Sequence, residues 1–217
     1  MHRIFILSPA NSSGERARLI FNPRAGFDLA RRLQRGEKAP IGEIFSFLSG
    51  LYFRGKYTYS KKFGRPPKGL TGAYVITSNR GLLDVEQPLT LEELAAFAEV
   101  PIDLKEPRYL KPLQTHARRL AKLAGADCEV VLLGSIGTQK YAEPLMEQFG
   151  ERLLFPPSFV GRGDMSRGGL LLRCAAEGRE LDYAAIAGAI RHGKRPEKLQ
   201  PRTWGYKIQE GTTPIPK

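Results

Sequence analysis

The chain has 217 residues, 41% hydrophobic and 26% charged, with 34 Lys and Arg against 22 Asp and Glu for a formal net charge of +12. That length and apolar content suit one globular domain able to bury a substantial core, and they exclude wholesale disorder. The apolar stretch at residues 4–7 is too short for a signal-peptide core or a membrane span, so a cytoplasmic protein without a membrane partner is expected.

In chain order, residues 3–7 predict a buried strand that stops at the polar run 8–14. A turn-rich segment follows, then a short helix around 27–35. Residues 41–63 carry apolar side chains on a broad helical face, with a bend expected at Gly50 or Gly55. Residues 65–69, with two prolines, read as an exposed linker. Residues 73–77 predict a second buried strand. Thr90 is placed to cap a helix over 91–98, with Glu92 and Glu93 favourable at its positive end.

Another helix is expected over 107–123, then the clearest strand, 128–133, a Gly-Ser-Ile-Gly turn and a helix running to Phe149. Residues 152–155 predict a fourth strand, 166–177 a helix and 181–185 a fifth strand. Strands alternating with helices imply an α/β fold: a three-layer α/β/α sandwich around a mostly parallel sheet of four or five strands. The expected organisation is a single α/β domain over 1–195 and an extended, Pro-rich basic tail over 196–217. Cys128 and Cys174 fall in core segments without metal-ligand spacing and read as reduced thiols.

The charge is uneven. Residues 1–65 hold thirteen Lys and Arg against four Asp and Glu, 66–156 ten against twelve, and 157–217 eleven against six. A basic excess at both ends, if they meet in space, forms a face attractive to DNA or RNA; a solubilising surface is the plainer alternative.

Ligands of open parallel sheets bind at the strands' carboxyl ends, so the residues after each strand are the candidates. They are Ser8, Asn11, Ser12, Ser13 and Arg16 after the first; Ser78, Asn79 and Arg80 after the second; Ser135, Thr138, Lys140 and Tyr141 after the third; and Arg162, Asp164, Ser166 and Arg167 after the fourth. The four loops are expected to share one rim. The last is the richest: residues 159–169 combine two arginines, one carboxylate, one hydroxyl and four glycines, a composition suited to close approach of an anion. Asp164 is a candidate general base or water activator, with an ion pair to Arg162 or Arg167 as the alternative. His192, in a basic loop, reads either as solvated or as contacting a phosphate or base. Residues 134–140 look like a phosphate cradle without Walker spacing, although the following helix could hold one anion at its N-terminus. Aromatic and basic residues interleave over 51–59; they pack the core, or Tyr57 or Tyr59 stacks a base.

The sequence contains no Cys/His cluster, no HExxH, no Ser/His/Asp set with a nucleophile elbow and no GxGxxG. These absences argue against zinc, serine-triad and NAD chemistry, and no metal or cofactor is expected.

With these residues placed, the chain resembles a family of uncharacterised bacterial α/β proteins. The matching pieces are Leu51-Tyr52-Phe53-Arg54-Gly55-Lys56, Thr77-Ser78-Asn79-Arg80-Gly81-Leu82-Leu83-Asp84 and the helix beginning Tyr141-Ala142-Glu143-Pro144-Leu145. The resemblance spans 3–150, and the Gly-Arg-Gly-Asp loop departs from it. The layout is more distantly similar to the uracil-DNA glycosylase superfamily, whose first motif Leu7-Ser8-Pro9-Ala10 resembles. No activating Asp follows the first strand and no His-Pro-Ser motif appears; Asn11 and His192 stand in those places. The resemblance implies a three-layer fold with a basic DNA-binding face and a glycosylase-like or other hydrolase acting on nucleic acid. The function expected is therefore a nucleic-acid-binding protein whose strand-end pocket processes a base, nucleotide or phosphate group. The alternatives are a non-catalytic DNA- or RNA-binding module and an enzyme acting on a small anionic metabolite.

Overall fold

The computed structural model describes residues 1–197 and Leu199. Its elements are β1 (His2–Leu7), α1 (Glu15–Phe21), α2 (Asp28–Gln34), β2 (Ala39–Pro40), α3 (Ile41–Ser49), α4 (Leu51–Phe63), β3 (Ala73–Ile76), β4 (Leu82–Asp84), β5 (Pro88–Leu89), α5 (Leu91–Ala98), α6 (Pro107–Ala124), β6 (Cys128–Leu133), α7 (Gln139–Phe149), β7 (Leu153–Phe155), α8 (Asp164–Glu177) and β8 (Ala184–Ala185). The main sheet runs β4-β3-β1-β6-β7-β8, and β2 pairs with β5 apart from it. β1 lies parallel to β3 and to β6, and β6 parallel to β7, while β4 and β8 close the edges antiparallel.

The fold is thus α/β with a mostly parallel sheet of six strands, more than the four or five expected. The additions are short: β4 folds back onto β3 after a tight turn, and β8 covers two residues of the segment 181–185. Along β1 the side chains alternate between two cores. Phe5 and Leu7 join buried residues of α1 to α5 and α8, whereas Ile4 and Ile6 join those of α6 and α7.

Several expectations need correction. The helix over 41–63 divides at Gly50, whose φ of +60° favours glycine, and runs unbroken through Gly55. Residue 65 is not simply in a linker: Arg65 exchanges two backbone hydrogen bonds with Arg3. The turn-rich segment contains α1, and α8 begins at Asp164 rather than at residue 166, so Asp164 belongs to a helix's first turn and not to a free loop. Thr90 does cap α5: its side chain accepts from the Glu93 amide, and Glu93 accepts from the Thr90 amide. In the expected tail 196–217, residues 198 and 200–217 lie outside the described residues.

One contact organises the site side of the sheet. α4 and α8 cross where Gly55 faces Gly168: a Cβ on Gly55 would sit 2.6 Å from the Gly168 carbonyl oxygen, and one on Gly168 2.5 Å from that of Leu51. Only glycine permits this approach, which brings the first turn of α8 against the Tyr52 and Lys56 turns of α4. It also joins α4 of the N-terminal segment to α8 of the C-terminal one on one side of the sheet. No described helix is long and apolar enough to cross a membrane.

Candidate functional site

The loops that leave β1, β3 and β6 and the first turn of α8 enclose a cleft of about 760 Å³ at the carboxyl ends of the parallel strands. Its polar lining comes mainly from the hydroxyl-bearing residues Ser8, Ser12, Ser13, Ser49, Ser78, Ser135, Thr138 and Tyr141, while Tyr52 lines it with its hydroxyl buried. Phe45, Phe97, Val100 and Ile102 supply apolar wall; among the described residues, Lys140 and Asp164 are its only charged ones.

Each loop has a local reason for its shape. Asn11 Oδ1 accepts from the amide and the hydroxyl of Ser13 at 3.0 and 2.9 Å, an Asx turn that folds the chain over the end of β1. After β3, Ser78 Oγ donates to the Phe97 carbonyl at 2.7 Å and Asn79 Nδ2 to that of Ala96 at 2.9 Å, tying this loop to the end of α5. After β6, the Lys140 ammonium lies 5.3 Å from the centre of the Tyr141 ring.

The fourth loop behaves differently. Arg167 directs Nε and Nη2 to the Phe159 carbonyl at 3.2 and 3.1 Å, and Nη1 to Asp164 at 3.3 Å. Arg162 donates to the Ser158 carbonyl at 3.0 Å and to Ser166 Oγ at 3.2 Å. Both arginines and Ser166 hold the loop's shape and do not line the cleft; Asp164 alone of this group does.

The structure therefore brings together Ser8, Asn11, Ser12, Ser13, Ser78, Ser135, Thr138, Lys140, Tyr141 and Asp164. It leaves out the rest of the expected set. Arg16 donates to the Phe47 carbonyl, Asn79 is turned toward α5 with its Oδ1 buried and unpartnered, and Arg80 pairs with Glu93 at 2.6 Å. His192 lies beside Gly137, where a Cβ would come 3.3 Å from its Cε1, and is absent from the cleft lining. Neither tyrosine named for base stacking lies there: Tyr59 is fully buried with its hydroxyl 2.6 Å from that of Tyr183, and Tyr57 donates to Glu86. Among the described residues, no group of three or more His, Cys, Asp or Glu is arranged to hold a metal ion.

No family model, curated protein or solved structure matches the chain. The residues themselves carry the functional argument.

Two of them escaped the sequence reading. Lys56 is wholly buried behind the cleft; its Nζ is 2.6 Å from the Ser8 carbonyl oxygen and 2.9 Å from Ser8 Oγ, between the rings of Tyr52 and Phe53 at 4.4 and 4.8 Å. It forms no ion pair among the described residues. Burial lowers its pKa from the ordinary 10.5 to about 7; Asp164 opposes the shift and Arg167 adds to it. The Tyr52 hydroxyl is buried and makes no hydrogen bond of standard geometry among the described residues; burial pushes its pKa up to about 12 against the opposing pull of Arg167. The signal was present in the spacing: 52, 56, 59 and 63 share one face of a helix, so a lysine stands on a stripe otherwise made of aromatic rings.

Proposed function

We propose that the protein binds nucleic acid and takes a nucleobase or nucleoside into the strand-end cleft. The observation that carries this is the lining: aromatic and aliphatic walls with a ring of hydroxyls suit a planar, polar, largely uncharged group. Lys140, beside the N-terminus of α7, is placed for one phosphate of a nucleotide. The net charge of +12 suits a phosphate-rich partner, with basic residues on helices of both faces: Arg54, Lys61 and Lys62 on α4, and Arg108, Lys111, Arg118, Arg119 and Lys122 on α6. Helices over both faces of the sheet favour the three-layer arrangement. An anionic metabolite is the weaker reading, because Arg162 and Arg167 are committed to carbonyl oxygens and, among the described residues, the cleft is lined by a single cation.

Calorimetric titration with the common nucleosides, inorganic phosphate and single-stranded oligonucleotides tests this. The expected result is millimolar or tighter binding of at least one nucleoside, weakened about tenfold in Ser135→Ala, a loss of ~1.4 kcal/mol. Oligonucleotide affinity should fall steeply as salt rises, because bound phosphates release counterions. Binding of phosphate with no response to any nucleoside favours the metabolite reading; no binding of oligonucleotides at low salt removes the nucleic-acid partner.

A further inference from the structure

Nothing in the ligand reading uses the buried contact between Ser8 and Lys56, whose chemistry does not depend on which ligand enters the cleft. We propose that Ser8 is a catalytic nucleophile, with Lys56 as its proton acceptor and donor, acting on a carboxylic ester carbonyl admitted to the cleft.

A lysine without solvent needs a carboxylate partner to remain charged cheaply. Among the described residues its hydrogen-bond partners are one carbonyl and one hydroxyl, both from Ser8. A neutral amine satisfies them completely: one N–H donates to the Ser8 carbonyl, and the nitrogen lone pair accepts the Ser8 hydroxyl proton. The charged groups nearest Lys56 come from α8, Asp164 and Arg167, with opposite effects; its own helix presents Tyr52 and Phe53, and β1 presents Ser8. The proton therefore leaves Lys56 near neutral pH, where a general base is most effective.

The placement is that of a nucleophile and its base. Ser8 faces the cleft while Lys56 stands behind it, out of contact with the cleft space. Gly134 on the neighbouring strand end keeps the hydroxyl unobstructed, since a Cβ there would lie 3.0 Å from Ser8 Cβ and 3.3 Å from Oγ. Tyr52 lines the same wall, and burial keeps its hydroxyl protonated, with a pKa pushed up to about 12. A lysine base removes the need for the Ser/His/Asp set whose absence from the sequence argued against serine-triad chemistry.

In the reaction, Ser8 Oγ forms a bond to the ester carbonyl carbon as its proton passes to neutral Lys56 Nζ, and the carbonyl π pair moves onto oxygen. Collapse of this intermediate breaks the ester C–O bond, and the Lys56 ammonium protonates the departing alkoxide. Water then adds to the acyl-Ser8 carbonyl, giving its proton to Lys56. The Ser8–acyl bond breaks as Lys56 returns a proton to Oγ, releasing a carboxylic acid.

A fluorophosphonate probe tests the nucleophile, with adducts located by peptide mass spectrometry in wild type, Ser8→Ala and Lys56→Met. We expect modification of Ser8 at a rate that rises about tenfold from pH 6 to pH 8 and falls at least a hundredfold in Lys56→Met, the range general-base catalysis supplies. Hydrolysis of p-nitrophenyl acetate above the Ser8→Ala background is expected as well. An unmodified Ser8 in folded protein, or an undiminished rate in Lys56→Met, overturns the proposal; absence of ester hydrolysis overturns the ester assignment. Should Lys56→Met fail to fold, the wild-type pH profile decides, and a flat one refutes Lys56 as the base.

Discussion

The loops after β1, β3 and β6 and the loop after β7 reach the same edge of the sheet with opposite uses of their polar groups. The first three leave hydroxyls on the cleft wall. The fourth carries the strongest donors in the region yet turns them onto its own backbone, with Arg167 against Phe159 and Arg162 against Ser158. The difference teaches that donor strength does not mark a binding site. A guanidinium in a glycine-rich loop finds unsatisfied carbonyls within reach and turns away, whereas Ser8, Ser13 and Ser78 still line the cleft although their hydroxyls already bond Lys56, Asn11 and the Phe97 carbonyl.

Substitutions that separate folding from binding can break this comparison. The largest effect is expected where the fourth loop and α8 are pinned against α4. Gly168→Ala should cost about 3 kcal/mol in urea denaturation, the upper part of the usual range for overpacking, because its Cβ meets backbone. Gly163→Ala, at the N-cap of the same helix with open space around its Cβ position, is the control and should cost under about 1 kcal/mol. Comparable losses at both positions would show that the close helix approach is not what holds this region.

Next in size, Arg167→Ala should destabilise by ~2 kcal/mol, since a buried carbonyl loses two charge-assisted donors, while leaving nucleoside affinity within twofold. Ser135→Ala should do the reverse, with stability unchanged within ~0.5 kcal/mol and affinity reduced. A strong loss of nucleoside binding in Arg167→Ala would return the arginine loop to the site. Asp164→Asn is expected to matter least to folding, because its ion pair with Arg167 is exposed on the carboxylate side.

Lys56 sharpens the contrast through pH. Its folded-state pKa of about 7 lies below the ordinary 10.5, so between these values the folded protein binds fewer protons than the unfolded chain. Its contribution to stability is therefore least favourable below pH 7 and improves as pH rises toward 10. Denaturation midpoints of wild type relative to Lys56→Met should accordingly rise from pH 6 to pH 9. Parallel midpoints across that range would mean that Lys56 does not titrate there.

What the sequence made legible follows from segment length and local chemistry. α6 announces itself by Pro107 at its start and Gly125 at its end, β6 by six consecutive residues of strand character, and α5 by the Thr90 capping box. β2, β4 and β5, at two or three residues each, are too short to display a period, and only their pairing defines them. The strand-end rule located most of the cleft. It missed Lys56, which approaches from the side of a helix rather than from a loop, and it included Arg16 and Arg80, whose partners Phe47 and Glu93 are distant in sequence and close only in space.

The central claim, that the hydroxyl-lined cleft is the ligand site, is tested most directly by a crystal structure with a nucleoside soaked in. The account predicts a base between the Tyr52, Phe97 and Tyr141 walls, with polar edges 2.7–3.2 Å from cleft hydroxyls, roughly the normal hydrogen-bond range, and no guanidinium contact from Arg162 or Arg167. A nucleoside bound instead against the Arg162 loop, with the cleft holding only solvent, would contradict it.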